Sequence, residues 1–334
     1  MKSSSATTPT ASTSYSRRVE RLEGYAFIAG AALFWGISAS LGRAVFTGRL
    51  PGSFGALKPI DPLILAQSRS TIALLLLAPV LFARRGTSAV IASRRDLLMS
   101  FVVGILGVAA SNYFYYLAIQ KTNVATAIVL QYTAPIFVLL YMVVRGFQRA
   151  TPRRIFSVVL SVIGCAMAIG IIGPGRFKPD TLGIVAAMTA AVSFAFYNIA
   201  AAGLLQRYDR WRVLLCVLFG AAVFWIVVNP PWVIARAHYS GGHWIFMALF
   251  SVTSILLPYS FYFGGLRHLD ATRAVVTSCL EPVFTIAIAA ITLGELVGPV
   301  QTAGMAVVLM ATVIVQLPDR RQRGEPAVVV EPIE

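Results

Sequence analysis

Residues able to do chemistry are few in this sequence, and they lie inside long apolar stretches. Arg273, Thr277, Glu281 and Thr285 recur at intervals of four, with Ser278 beside them. That spacing places all four on one face of a helix. A carboxylate facing lipid at such depth costs roughly 2.5–3.5 kcal/mol on insertion scales, so Glu281 is expected to face protein or water. Two readings of it stand: a proton-coupling or substrate-amine group, or a carboxyl that hydrogen-bonds a neighbouring helix and steadies the backbone before Pro282. Arg69 is likewise embedded in an apolar run. It either snorkels to the interface or pairs with another helix, or it neutralises a substrate carboxylate. Arg43, near the end of its run, reads as interfacial.

Aromatic and amide groups are better represented than charges. Trp35, Tyr113, Tyr197, Tyr259 and Tyr262 combine flat apolar faces with polar tips. Asn112, Gln131 and Asn198 can hydrogen-bond an ammonium or a carboxylate without burying a permanent charge. Together these groups suit a bulky neutral solute such as an amino acid; each alone also suits helix packing. Gly36, the pair Gly107 and Ser111, and the pair Ala166 and Gly170 allow close helix approach or leave room for a large side chain. Pro135, Pro258 and Pro282 each delete one helical hydrogen bond, freeing a carbonyl that needs a partner or a water-lined cavity. They are hinge or kink candidates.

Several chemistries have no motif. The sequence contains no GxxxxGK[ST], no HExxH and no nucleophile elbow. Cys165, Cys216 and Cys279 sit singly in apolar runs and read as small buried hydrophobes. His238 and His243 flank a Gly-Gly pair, with no cysteine or carboxylate to complete a metal site. The expectation is a non-enzyme with no catalytic residue, no metal and no cofactor.

The elements that must position these residues follow from composition. The chain has 334 residues, 57% hydrophobic and 12% charged, and a mean hydropathy of +0.77. Soluble proteins average roughly 45–50% apolar and about 25% charged residues, and a single soluble core stops growing near ~250–300 residues. A polytopic membrane protein is implied, and disordered, collagenous and disulfide-stapled classes are excluded. Ten apolar runs can each span a bilayer core of about 30 Å: 24–46, 62–83, 97–119, 123–144, 154–173, 182–204, 211–234, 243–266, 271–293 and 298–317. Backbone polar groups in lipid must be satisfied within the segment, so the fold class is all-α. Residues 1–23 and 318–334 are polar tails, expected to be flexible, and 174–181 is a linker.

The net charge of +15 resolves into topology. Twenty of the 28 Lys and Arg fall on the side that carries both tails, and six on the other. By the positive-inside rule both termini are cytoplasmic, and neither nucleic acid nor any other polyanion is needed as a partner.

The two halves match without gaps at an offset of 147 residues. Ala127, Pro135 and Phe137 fall on Ala274, Pro282 and Phe284; Phe114 and Tyr115 fall on Phe261 and Tyr262; and Asn123 falls on Asp270. A five-helix repeat inverts its second copy, which is the architecture of carriers that bind substrate between halves near the midplane. The face in the first half that corresponds to the Glu281 stripe is Thr126, Leu130, Ala134 and Val138, so that carboxylate is not duplicated.

The segment Arg267-His-Leu-Asp-Ala-Thr-Arg-Ala-Val-Val-Thr-Ser-Cys-Leu-Glu-Pro-Val-Phe, continuing to Leu293-Gly-Glu295, resembles the EamA domain of the drug/metabolite transporter superfamily. Phe34-Trp-Gly36, Arg69, Gln301 and Gly304 extend the resemblance over about 24–317. The first half departs from it, with Ala134-Pro135 in place of Glu-Pro and Phe147-Gln148 in place of Gly-Glu. Ser111-Asn-Tyr-Phe-Tyr-Tyr is most similar to YddG-type aromatic amino acid exporters. The resemblance implies a ten-helix exporter of the bacterial inner membrane, with repeats over 24–173 and 182–317. Its central cavity would be lined by the first, third, fourth, sixth, eighth and ninth helices. Its cargo would be small organic solutes, aromatic and other neutral amino acids above all, with sugar-phosphate, nucleotide-sugar or drug export as the alternative and a membrane-embedded enzyme as a more distant one. Nothing in the sequence sets the oligomeric state, and a monomer is consistent with it.

Overall fold

Aspartates start many of the helices. Asp61 accepts hydrogen bonds from the amides of Leu63 and Ile64. Asp180 caps through Gly183, Asp209 through Trp211 and Asp270 through Arg273. Four of the 13 acidic residues are thus occupied as helix N-caps, where they satisfy amides that have no intrahelical partner. The computed structural model describes residues 11–46, 60–121, 127, 130–169, 180–293 and 298–317. Arg49, Lys58, Asn123, Thr126, Gly170, Arg176, Lys178, Gly294, Glu295 and the tail from Pro318 lie outside the described residues, as does the side chain of Arg43.

All regular elements among the described residues are helical. They are α1 (Ala11–Phe46), α2 (Pro62–Arg85), α3 (Arg94–Val102), α4 (Ala110–Lys121), α5 (Ala134–Val144), α6 (Pro152–Ala168), α7 (Thr181–Leu205), α8 (Arg210–Val228), α9 (Pro231–Arg236), α10 (Gly241–Ser251), α11 (Leu257–Leu266), α12 (Ala271–Ser278), α13 (Glu281–Leu293) and α14 (Pro299–Gln316). Eight helical stretches among these residues are long and apolar enough to cross a membrane. The runs expected fourth and fifth are represented by the shorter α5 and α6.

Two sequence expectations change. Residues 11–23, read as flexible tail, are helical as the start of α1. Arg, Glu and Leu are strong helix formers, and extending a helix anchored by its apolar part avoids the cost of nucleation. The run 271–293 is two helices, α12 and α13, separated by a turn at Cys279–Leu280. The Arg273–Thr285 stripe is therefore divided between them.

The interruption has a local cause. Pro282, at the second position of α13, cannot donate to the carbonyl of Ser278. The chain tightens before it, with Cys279 bonding Val276 at 3.2 Å and Leu280 bonding Thr277 at 3.1 Å. These are i to i+3 bonds of the 3₁₀ type. A matching turn at Tyr132–Thr133 precedes α5, with Pro135 again second in its helix and Thr133 bonded to Leu130 at 3.1 Å. Both prolines occupy an early helical position where a missing amide hydrogen costs least. The two turns are 147 residues apart. So are the ends of two π-helical segments, Val103–Ala109 before α4 and Val252–Leu256 before α11. Pro258 follows the second of these as the second residue of α11.

Packing repeats the same correspondence. α1 runs along α11 and α13, while α7 runs along α4 and α5; α6 pairs with α14. Close approach depends on absent side chains at the α6–α14 seam, where a Cβ on Gly164 would stand 2.9 Å from Val308 and one on Gly304 would stand 2.7 Å from Met167. Gly36 lets α1 meet α13 in the same way, since its Cβ would lie 2.9 Å from Phe284.

Candidate functional site

Glu281 is the first residue of α13, at the break, and it is half-buried. The Tyr132 phenol, from the matching break, is its hydrogen-bonding neighbour, and Arg69 of α2 is the cation whose charge acts on it. Arg69 and Glu281 are not in ion-pair contact. The Arg69 guanidinium instead donates to Oδ1 of Asn112 and lies 5.7 Å from the centre of the Tyr116 ring. Asn112 donates in turn to the Val108 carbonyl at 2.6 Å, and Tyr259 hydrogen-bonds Asn112. Both Arg69 and Glu281 act electrostatically on the phenols of Tyr115 and Tyr259. Those phenols thus sit within reach of a positive and a negative group.

An aromatic wall backs this centre. Trp35 meets Tyr259 edge-on at 5.6 Å, Phe194 at 6.5 Å and Tyr262 at 5.3 Å. Tyr197 stacks on Phe194, Tyr262 and Phe263 at 5.6–5.9 Å. Tyr262 donates to Asn198 Oδ1, and Asn198 donates to the Phe194 carbonyl at 2.7 Å. Tyr197, Asn198 and Tyr262 are fully buried and hold the wall in place; Trp35 is half-exposed. Ser278 is buried and donates to the Val275 carbonyl at 2.8 Å. Gln131 donates to Ser111 at 3.3 Å, which bonds the Ala190 carbonyl at 3.2 Å. Tyr113 points elsewhere, to Phe224 and Trp225 of α8 at 6.1 and 6.3 Å.

The structure therefore brings together Trp35, Asn112, Tyr259, Tyr262, Asn198 and Tyr197 around the break that carries Glu281. It adds three residues that sequence reasoning did not put in the site, Tyr115, Tyr116 and Tyr132, and places beside them Arg69, for which a substrate carboxylate was one of the readings. Tyr115 and Tyr116 follow Asn112 by three and four residues, a spacing that puts them on its helical face. Tyr132 shares its place in the repeat with Cys279, and nothing in its own type marked it.

At the arginine-rich end the halves are tied by charge. Asp270 pairs with Arg273 at 3.3 Å and with Arg154 of α6 at 4.0 Å, and Thr272 donates to Gln148 at 2.9 Å. Arg273 is thus an N-terminal partner of Asp270 rather than a group on the Glu281 face. Asp96 accepts from Arg207 at 3.0 Å and Tyr208 at 2.8 Å, and Asp209 pairs with Arg85 at 2.8 Å. Burial and the bond to Asp96 push the Tyr208 phenol above its ordinary range, keeping it a donor. Apolar packing reinforces this end: Ala134, Val138 and Met142 of α5 cluster with Ala271 and Val275 of α12. Every residue from 271 to 280 is buried, whereas 284–288 are half-exposed and Ile291 is 83% exposed.

The three cysteines are free thiols, and no cluster of three or more His, Cys, Asp or Glu suited to a metal exists among the described residues.

Comparison with known proteins gives a consistent picture. A sequence model of the EamA-like transporter family matches residues 22–170 and 181–317. The uncharacterized inner membrane transporter YicL of Salmonella typhimurium is 22% identical over 236 residues, 70% of this chain and 77% of YicL. The uncharacterized transporter YdeK of Bacillus subtilis is 26% identical over 276 residues, 78% of this chain and 90% of its own. The threonine/homoserine exporter RhtA of Salmonella typhimurium is 26% identical over 220 residues, 65% of this chain and 70% of RhtA. A solved crystal structure covering 90% of this chain and 96% of its own superposes with a TM-score of 0.69 at 17% identity, a likeness of fold.

Proposed function

The chain belongs to the EamA-like transporter family, and from that premise we propose that it is a secondary carrier exporting neutral amino acids, aromatic ones among them, across the bacterial inner membrane. One observation carries the reading: a largely buried carboxyl group, Glu281, stands at a broken helix deep in an apolar bundle, with phenols around it and an indole behind them. Lipid does not tolerate a carboxylate at that depth, so the face is one that solute and water visit. Discontinuous helices at the midplane are the usual place for carrier substrate sites. That RhtA is an amino acid exporter supports the choice of cargo.

The mechanism is alternating access between two inverted five-helix repeats with cytoplasmic termini. Support comes from the paired breaks and the paired π segments, each at the same 147-residue correspondence, and from the exchanged contacts of α1 and α7 with the other half. Glu281 receives the substrate ammonium, and the rings of Trp35, Tyr259 and Tyr115 cover its side chain. The buried 271–280 segment and the Asp270 network correspond to a form closed towards the cytoplasm. Pro135 and Pro282 are the hinges about which α5 and α13 re-angle.

A phosphorylated cargo fits less well. It calls for several inward basic groups; Arg69 is one, but Arg273 is already bound to Asp270. Counterflow in proteoliposomes tests the reading: saturable, trans-stimulated exchange of amino acids without any ion gradient is expected. Strict dependence on a pH gradient, abolished by Glu281→Gln, would instead assign Glu281 to proton coupling.

A further inference from the structure

Arg69 acts on Glu281 through its charge, but the account above gives it no contact with the substrate. Its guanidinium has five donors in a fixed plane. The structure gives it one acceptor, Oδ1 of the neutral Asn112, and the face of Tyr116. Its Nε is buried without any hydrogen-bond partner. A buried unsatisfied donor on a permanent charge is expensive, and it persists in native proteins where an absent group completes it. Arg69 is also held from behind, because the Ser251 hydroxyl bonds its backbone carbonyl at 2.6 Å and so ties α2 to α10. Its contacts with Asn112 and Tyr116 both lie on α4, so the charge is engaged by a neighbouring helix.

We infer that Arg69 is the carboxylate anchor of the substrate site, and that with Glu281 it selects α-amino acids as zwitterions. Glu281 and Arg69 act on the same two phenols, Tyr115 and Tyr259, while the hydrogen bond that the Arg69 guanidinium makes goes to Asn112. That leaves between them a place where a molecule with adjacent ammonium and carboxylate groups satisfies both. The carboxylate takes the free Nε and a terminal nitrogen of Arg69 in the bidentate geometry a guanidinium favours. A simple amine leaves Arg69 unsatisfied, and a simple acid leaves Glu281 unsatisfied. Rejection by unpaired buried groups is the strongest form of discrimination a pocket can make. The inference rests on the amino acid reading above and adds the group that reads the carboxylate.

The test compares an amino acid with its own carboxamide in counterflow, in the wild-type protein and two variants. Wild type should prefer the amino acid. Arg69→Gln should raise its KM roughly 10- to 100-fold, while changing the KM of the carboxamide little, so that the preference collapses. Asn112→Asp places a competing carboxylate on Arg69 in nearly the same volume, and should give the same selective loss even if Arg69→Gln folds poorly. Arg69→Lys should restore part of the preference. If the variants transport amino acids with the wild-type preference, or lose amino acid and carboxamide alike, the assignment of Arg69 is wrong while the amino acid reading survives. If wild type moves neither compound, both are wrong.

Discussion

At the scale of single residues, the site is a separation of opposite charges by phenols. Glu281 and Arg69 each hydrogen-bond a neutral partner, Tyr132 and Asn112, and Arg69 acts on Glu281 through its charge without pairing directly with it. An ion pair between them would satisfy both and leave little for a solute, because a bound partner would have to be displaced first. Glu281→Gln removes the charge while keeping the shape. It should raise the KM for amino acids about 10-fold or more, the worth of a charge-assisted hydrogen bond, and leave 2-hydroxy acid analogues nearly unaffected. Counterflow KM values for the two cargo types check this; an unchanged amino acid KM would remove Glu281 from the site. Glu281 was legible in the sequence because an intramembrane carboxylate is costly wherever it faces lipid. Arg69 was legible only as a charge, since its direction depends on Asn112, which lies 43 positions away.

At the scale of elements, the broken helices and the charged end decide what can move. The prolines were visible in the sequence, but the turn at Cys279–Leu280 was not, because periodicity continues unbroken through 271–293. Pro282→Ala returns an amide donor to the Ser278 carbonyl and should fuse α12 with α13. The expected result is a higher melting temperature together with slower counterflow; an unchanged rate would show that the break is only a packing feature. The Asp270 network is charged on one side only: at the 147-residue offset, Arg154, Asp270 and Arg273 correspond to Gln301, Asn123 and Thr126. The arginine-rich end therefore carries, among the described residues, an ion-pair network whose charged residues have no charged counterparts at the matching positions. Asp270→Asn takes the carboxylate away from buried Arg273, which contacts it at 3.3 Å, a change that is strongly destabilising for this arrangement. It should speed labelling of the buried Cys279 by a water-soluble thiol reagent, read by peptide mapping; equal rates in variant and wild type would argue against a latch.

At the scale of the whole molecule, composition and run lengths carried the all-helical, multi-pass character. An all-helical, multi-pass protein follows from apolar runs too numerous for a soluble core, and eight described helices are long and apolar enough to span. The resemblance seen around Glu281 and Pro282 agrees with the family match over 22–170 and 181–317. Composition did not show how the halves meet, because α1 against α11 and α7 against α4 are contacts between distant parts of the chain. The central claim is that those halves enclose a site for a neutral zwitterion. The most direct measurement is efflux of a panel of amino acids, their toxic analogues and phosphorylated sugars from cells overproducing the protein. The account predicts faster efflux of neutral and aromatic amino acids, with phosphorylated sugars retained. Efflux of phosphorylated sugars with no effect on amino acids would contradict it.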